Sequence, residues 1–464
     1  MRVSRRESKR IVVPSPAGQK PIYLLAILAL SLPVWAWGMP GASLIAHMVG
    51  FATIAFACLV VGQPHPIAPL GAFVVGFALY TLSFPLLVLL GYSEASEIIV
   101  AEGVWLMGFG LLAYSLGISS LSLGWRPLTR IRLADFRNTA PPTWLIISLA
   151  ILAAVPMYFA VAGGLSKQGL RGSSIKTWVL FANILTLYCG MKYGALEAAR
   201  KSSQALFFAG IAMAFMLAVF GSLGERDVVV ALGFQVIAFR CLYLRPVSKL
   251  QFYSLMLLAA AVATLGQDWK SFISLDDSFR VDRGFDFVET ILYGEFSSAG
   301  KNLYKICSKY WDVRLGSELF LGDLGRVFTS SFFGIGSGVS GGEWFNRTLL
   351  QNDGSGKGFG LVAEGYLSFG VVGVMGAYFV LAVATFALYR ISYLGVFSHF
   401  AYVNFMIVAI YSSRADAAFL MSFFLKTTVV PLLLLHVLKV FSNRGARLSA
   451  GAGMASHRNP SHGR

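Results

Sequence analysis

The stretch Lys357–Gly373, KGFGLVAEGYLSFGVVG, decides how this chain is read. It is apolar enough for a membrane helix, yet it places Glu364 seven residues into the segment that starts at Gly358. A carboxylate in such a helix is costly unless it is paired or put to use. Gly365, Gly370 and Gly373 punctuate the same run, and small residues let helices approach closely. Immediately upstream, residues 266–357 make about ninety residues of polar, charged and aromatic sequence. Nearly everything else consists of apolar, helix-length segments.

Working outward, the composition fixes the class. Of 464 residues, 56% are hydrophobic and 13% charged, against about 25% charged in soluble proteins. A span needs about 20 mostly apolar residues. On that measure about twelve segments qualify: 21–39, 42–61, 66–90, 98–122, 143–163, 176–196, 203–222, 227–243, 250–266, 358–389, 394–413 and 416–440. The expected fold is an all-α polytopic membrane protein. An N-terminal membrane region covers 1–265, a long loop 266–357, a C-terminal membrane region 358–440 and a tail 441–464 expected to be disordered. The segment 358–389 exceeds one perpendicular crossing and must tilt, kink or protrude. The basic N-terminus followed by an apolar run resembles a signal peptide, but the run lacks a small-residue cleavage site and is read as a retained first span.

The net charge of +16 is explained by topology rather than by nucleic acid. Basic residues cluster at the N-terminus, at 123–142, at 200–201, at 240–249 and in the C-terminal tail. With twelve crossings all of these fall on the cytoplasmic face, with both termini. The turn GYSEASE and the loop 266–357 then fall outside. Some cations fall on that outer face as well: Lys167, Arg171 and Lys176, then Arg226 in GSLGERD, and Arg414 in SSRAD. They are either solvated loop charges or part of a site for an anion. Within the loop, FDFVETILYGEFSSAGKNLYKICSKYW has apolar residues at three- and four-residue spacing, which predicts an amphipathic helix on the membrane surface. The stretch FFGIGSGVSGGEWF reads as a turn region.

The chemistry-bearing residues lie near these edges. In GSLGERD, glycines and a helix start suit an anion, Arg226 can grip phosphate oxygens as a fork, and Glu225 can orient it or act as a base. The bland alternative is a helix-capping turn. In SSRADAAF, Arg414 and Asp416 are too close in sequence to share a helix face, but both can line a cavity at a broken helix end. Interfacial anchoring is the alternative. Trp344 offers a face for a sugar or an interfacial anchor, and Arg347 flanks the start of the following segment. The cysteines are Cys58, Cys189, Cys241 and Cys307, and the long loop has one cysteine and no histidine. That removes a loop disulfide, a loop zinc site and loop histidine catalysis.

The long loop, the string GFGLVAEGYLSFGVVG and an Arg-Asp turn opening the last span resemble the bacterial O-antigen polymerases, which join oligosaccharide repeat units. Arg347 with Gly358 also matches the Arg-x10-Gly spacing described for some members, as do Arg283 with Gly294 and Arg314 with Gly325, although glycine is common here. Arg171 departs from it, since Ala182 occupies the glycine position. The resemblance implies a GT-C-like glycosyltransferase architecture in the bacterial inner membrane, with a periplasmic loop and no cofactor or metal. Donor and acceptor would be undecaprenyl-pyrophosphate-linked glycans, and a chain-length regulator would be a possible partner. Arg171, Arg226, Arg347 and Arg414, with Trp344, would hold pyrophosphate and sugar. Glu364 or Glu225, then Asp416, would take the acceptor proton. The rivals are an O-antigen ligase, expected to use a loop histidine, and a transporter of lipid-linked sugars, expected to show broken helices and symmetric halves.

Overall fold

A computed structural model describes residues 20–62, 66–123, 133–162, 177–219, 227–244, 248, 250–255, 257, 295–319, 322, 325, 327, 341–349 and 358–441. The described residues form helices and turns, with no strand among them. Thirteen helices are labelled here: α1 (Lys20–Pro33), α2 (Leu44–Val61), α3 (Pro69–Leu89), α4 (Glu97–Leu121), α5 (Leu133–Thr139), α6 (Thr143–Ala162), α7 (Thr177–Ala198), α8 (Ser202–Val219), α9 (Asp227–Phe239), α10 (Glu295–Tyr310), α11 (Leu361–Ile391), α12 (Val396–Tyr411) and α13 (Ala417–Phe424). A wider turn of helix carries α13 on through Leu425–Val429 and the helix runs to Phe441.

Seven of these helices are long and apolar enough to cross a membrane: Pro21–Gly38, Leu44–Val61, Pro69–Leu89, Glu97–Leu121, Ser202–Val219, Leu361–Ile391 and Ala417–Phe441. The pair Leu133–Thr139 and Thr143–Val155, bent by 60°, makes an eighth if counted as one span. The chain is thus a helical protein of membrane character, with fewer qualifying helices among the described residues than the twelve segments expected. Val228–Leu244 and Val396–Tyr411 are apolar but shorter. α7 is long, but Asn183, Thr186, Lys192 and Glu197 dilute its apolar character. Most of the expected span 250–266 lies outside the described residues.

The elements follow local rules. Ser43 caps α2, accepting from the Ala46 N–H at 3.3 Å. Pro69 opens α3, where its missing N–H costs nothing. α4 is the centre of the first half, packed against α1, α2, α3, α10 and α11. Gly108 of α4 leaves room for the Trp35 ring, which a Cβ there would meet at 2.1 Å. Trp35 and Trp105 then donate their indole N–H groups to each other's carbonyls, both at 2.9 Å. A second apolar core joins α5–α9 to Val396 and Phe400 of α12 and to Leu432 and Leu435.

Polar residues gather at one end of this second half. Glu197 is buried there, accepting from Tyr193 Oη at 2.8 Å and Ser202 Oγ at 2.5 Å, and Arg240 lies 3.3 Å away. Lys439 donates to the Asn138 carbonyl at 2.8 Å, and Phe136 stacks edge-on against Phe239, Tyr243 and His399. The basic connections 133–142, 200–201 and 240–243 are therefore neighbours in space.

One expectation is corrected. The amphipathic loop helix exists as α10, but its apolar face is not free for a membrane surface. Ala299, Leu303, Ile306 and Cys307 are buried against α3 and α4. Gly300 lies so close to Phe84 that a Cβ would meet its side chain at 2.7 Å, and Tyr80 and Phe84 stack with Phe296 and Tyr304. Amphipathic spacing reveals an apolar face; here the protein supplies the surface that covers it.

Candidate functional site at the broken helix

The long helix predicted by Lys357–Gly373 is two helices. Inside α11, Phe369 (φ −140°, ψ 18°) and Gly370 (φ 66°, ψ −149°) leave helical geometry. The chain reverses sharply enough that a Cβ on Gly365 would meet the Gly373 carbonyl oxygen at 2.8 Å. One on Gly373 would meet the Gly365 oxygen at 2.1 Å. The glycines do serve close helix packing, but between the short arm 361–368 and the long arm 371–391 of one element.

The short arm is docked at its start by the turn before α13. The Leu361 N–H donates to the Ser412 carbonyl at 2.9 Å. Gly358 and Gly360 lie directly on that turn: a Cβ at either would stand 2.2 Å from the Arg414 oxygen or 2.3 Å from the Ser413 oxygen. The string GFG is thus a backbone-on-backbone contact that admits no side chain at its two glycines. From the loop side, Asn302 of α10 donates to the Gly358 carbonyl at 2.6 Å.

This docking places Glu364 fully out of solvent, with Oε2 accepting from the Ala417 N–H at 2.7 Å. Asp416 is the cap of the same helix: Oδ1 accepts from the Phe419 N–H at 2.7 Å. Its other oxygen accepts from the Gly342 N–H at 3.1 Å, which ties in the short helix Gly341–Trp344. Two carboxylates therefore face the N-terminus of α13, where backbone donors and the helix field favour negative charge. Arg414 lies between these groups in sequence, half-buried, with its guanidinium carbon 5.8 Å from the Tyr411 ring. Trp344 is half-buried against Phe359 (6.5 Å) and Tyr310 (5.5 Å). Arg347 is exposed on the turn that follows.

Of the residues singled out in the sequence, the structure brings Glu364, Asp416, Arg414, Trp344 and Arg347 into one region. Glu225, Arg226 and Arg171 lie outside the described residues, although α9 does begin at Asp227. Three participants carried no flag in the sequence. Asn302 is a lone amide on the buried face of α10, Gly342 offers only its backbone, and Tyr366 looks like any core aromatic. Arg314 drew notice only through a spacing that glycine-rich chains match cheaply. Compared with protein-family models, curated proteins and solved structures, the chain matches none.

Proposed function

We propose that the chain is a membrane glycosyltransferase that joins lipid-linked oligosaccharide repeat units into a surface polysaccharide. The supporting observation is the convergence of one buried carboxylate, a second capped one, Arg414, Arg347 and Trp344 where the long loop meets the membrane helices. Breaking an anomeric C–O bond next to a pyrophosphate requires cations to stabilise the leaving group. An aromatic face suits a sugar ring, and a carboxylate can take the acceptor hydroxyl's proton. Holding two lipid-anchored substrates side by side supplies a further large factor. In this reading the architecture is GT-C-like, the loop is periplasmic, and undecaprenyl-pyrophosphate-linked glycans are donor and acceptor.

The hydrogen bonds shift the roles. Glu364 and Asp416 are engaged as helix caps, which favours positioning over proton transfer for both, and leaves Glu225 as the carboxylate to test as base. The decisive experiment supplies purified protein with lipid-linked repeat units and resolves the products by size. A ladder of multiples is expected from wild type and is lost in Arg414→Ala at equal protein abundance. No ladder from active-abundance wild-type protein overturns the reading. Transport of lipid-linked sugars is the second reading, favoured by the discontinuity at Phe369–Gly370, since transporters place substrates at broken helices. In that case a deletion strain loses outward-facing repeat units; a polymerase deletion retains them and lacks only the polymer.

A further inference from the structure

The short arm of α11 is held at both of its ends by the loop segment that contains α10. At its start the hold is Asn302 on the Gly358 carbonyl, at 2.6 Å. At its end the chain leaving α10 closes over the break. The Leu315 N–H donates to the Leu367 carbonyl at 2.7 Å, satisfying a carbonyl that the end of a helix leaves open. Next to it, Arg314 lies against the turn before the discontinuity and close to Gly370 within it. Its guanidinium carbon sits 4.4 Å from the centre of the Tyr366 ring, and Nη2 donates to Tyr366 Oη at 3.3 Å. Nε lies 3.3 Å from where a Cβ of Gly370 would be, a close approach to the backbone of the break.

Arg314 is solvent-exposed, and its guanidinium bonds back to the chain beside it. Nη1 donates to the carbonyls of Trp311 and Val313, both at 2.8 Å. Tyr366 Oη donates to the same Trp311 carbonyl at 2.8 Å, and the Trp311 and Tyr366 rings lie 5.2 Å apart. A planar fork that stacks and donates in several directions at once is a task for arginine and not for lysine. Glu364 lies midway between the two holds, on an arm of only two turns. Residues 302–315 thus contact the arm on both sides of Glu364.

We propose that Arg314 is a positioning residue for Glu364: it locks the helix break, and through it the long loop sets where the buried carboxylate stands. The lock needs no assumption about the reaction. Its catalytic consequence rests on the glycosyltransferase reading above.

The test uses the full-length protein in lipid nanodiscs and hydrogen–deuterium exchange read by mass spectrometry. In Arg314→Gln, amides of 361–368 are expected to exchange about tenfold faster, the effect of losing roughly one net hydrogen bond's stabilisation. Amides of α4 and α12 are expected to stay at wild-type rates. Arg314→Lys is expected to resemble Arg314→Gln, and Tyr366→Phe, which keeps the ring and loses the hydroxyl, to fall between. Unchanged exchange in 361–368 overturns the proposal, as does an equal increase across all helices or full rescue by lysine. With lipid-linked repeat units, kcat is expected to fall in Arg314→Gln at unchanged KM; a raised KM alone makes Arg314 a substrate-gripping group and overturns the positioning role. Absence of turnover in wild type sinks the glycosyltransferase reading and leaves the exchange result to stand or fall by itself.

Discussion

Glu364 and Asp416 share one helix N-terminus, and that shared duty predicts different responses to substitution. Glu364→Gln keeps an oxygen that can accept from the Ala417 N–H, so the fold should hold. Glu364→Ala leaves that N–H buried without its acceptor, at a cost of about 1–3 kcal/mol. Thermal unfolding in detergent should therefore place Gln near wild type and Ala clearly below it. Equal losses in the two variants would remove the capping role. At Asp416, Asn should be tolerated because it caps as well as Asp, while Ala should cost about 1 kcal/mol and release the Gly342 contact. That Glu364 needs a partner was legible in the sequence, because a carboxylate in an apolar run demands one. Its partner was not legible, since a backbone N–H more than fifty residues away carries no residue-type signature.

Among elements, α11 carries the most information. The sequence required the segment to tilt, kink or protrude because it was too long, and it required close packing because of its glycines. Both readings describe one object, a reversal at Phe369–Gly370 that brings Gly365 against Gly373. Pattern could not reveal this, because glycine spacing is the same whether the partner is another helix or the same one folded back. The prediction contrasts two glycines of this element. Gly370 has φ 66° and ψ −149°, a region essentially reserved for glycine, so Gly370→Ala should cost about 1–3 kcal/mol. Gly376, in the long arm, would place a Cβ in open space, so Gly376→Ala should be neutral or stabilising by up to about 1 kcal/mol. Thermal unfolding of the pair checks this, and a reversed order would mean that the break is not the resting geometry. α10 shows the complementary limit. Its amphipathic spacing was legible, but the groove between α3 and α4 that receives it exists only after both have folded.

Across the whole molecule, the charge pattern predicts orientation and the cysteines make it measurable. Cys58, Cys189, Cys241 and Cys307 are all buried and unbridged. Burial also pushes the Cys307 thiol up from its ordinary range, so it stays protonated and weakly nucleophilic at neutral pH. The unmodified protein should therefore react little with maleimides, and single cysteines can be introduced without removing the native ones. Ser308 on α10 and Ser203 after the α7–α8 turn are both exposed. With an impermeant maleimide on spheroplasts, Ser308→Cys should label at once and Ser203→Cys only after permeabilisation. The opposite pattern would invert the topology. Basic connections were legible because charge acts over the bilayer as a whole. The count of crossings was less so, because α9 and α12 are short and α7 is diluted by polar residues that packing, not lipid, accommodates.

The docking of Leu361 on Ser412, and of Glu364 on Ala417, also imposes an order on biosynthesis. Residues 358–364 leave the ribosome some fifty residues before the groups that receive them. Until α13 has been made, the arm has only its contacts with Asn302 and Leu315 and lacks the acceptor at Ser412 and the donor at Ala417. The contacts of the broken helix are therefore complete only once the last span has been made. A chain ending before Ser412 would contain every residue of the string KGFGLVAEGYLSFGVVG and lack the partners of Leu361 and Glu364.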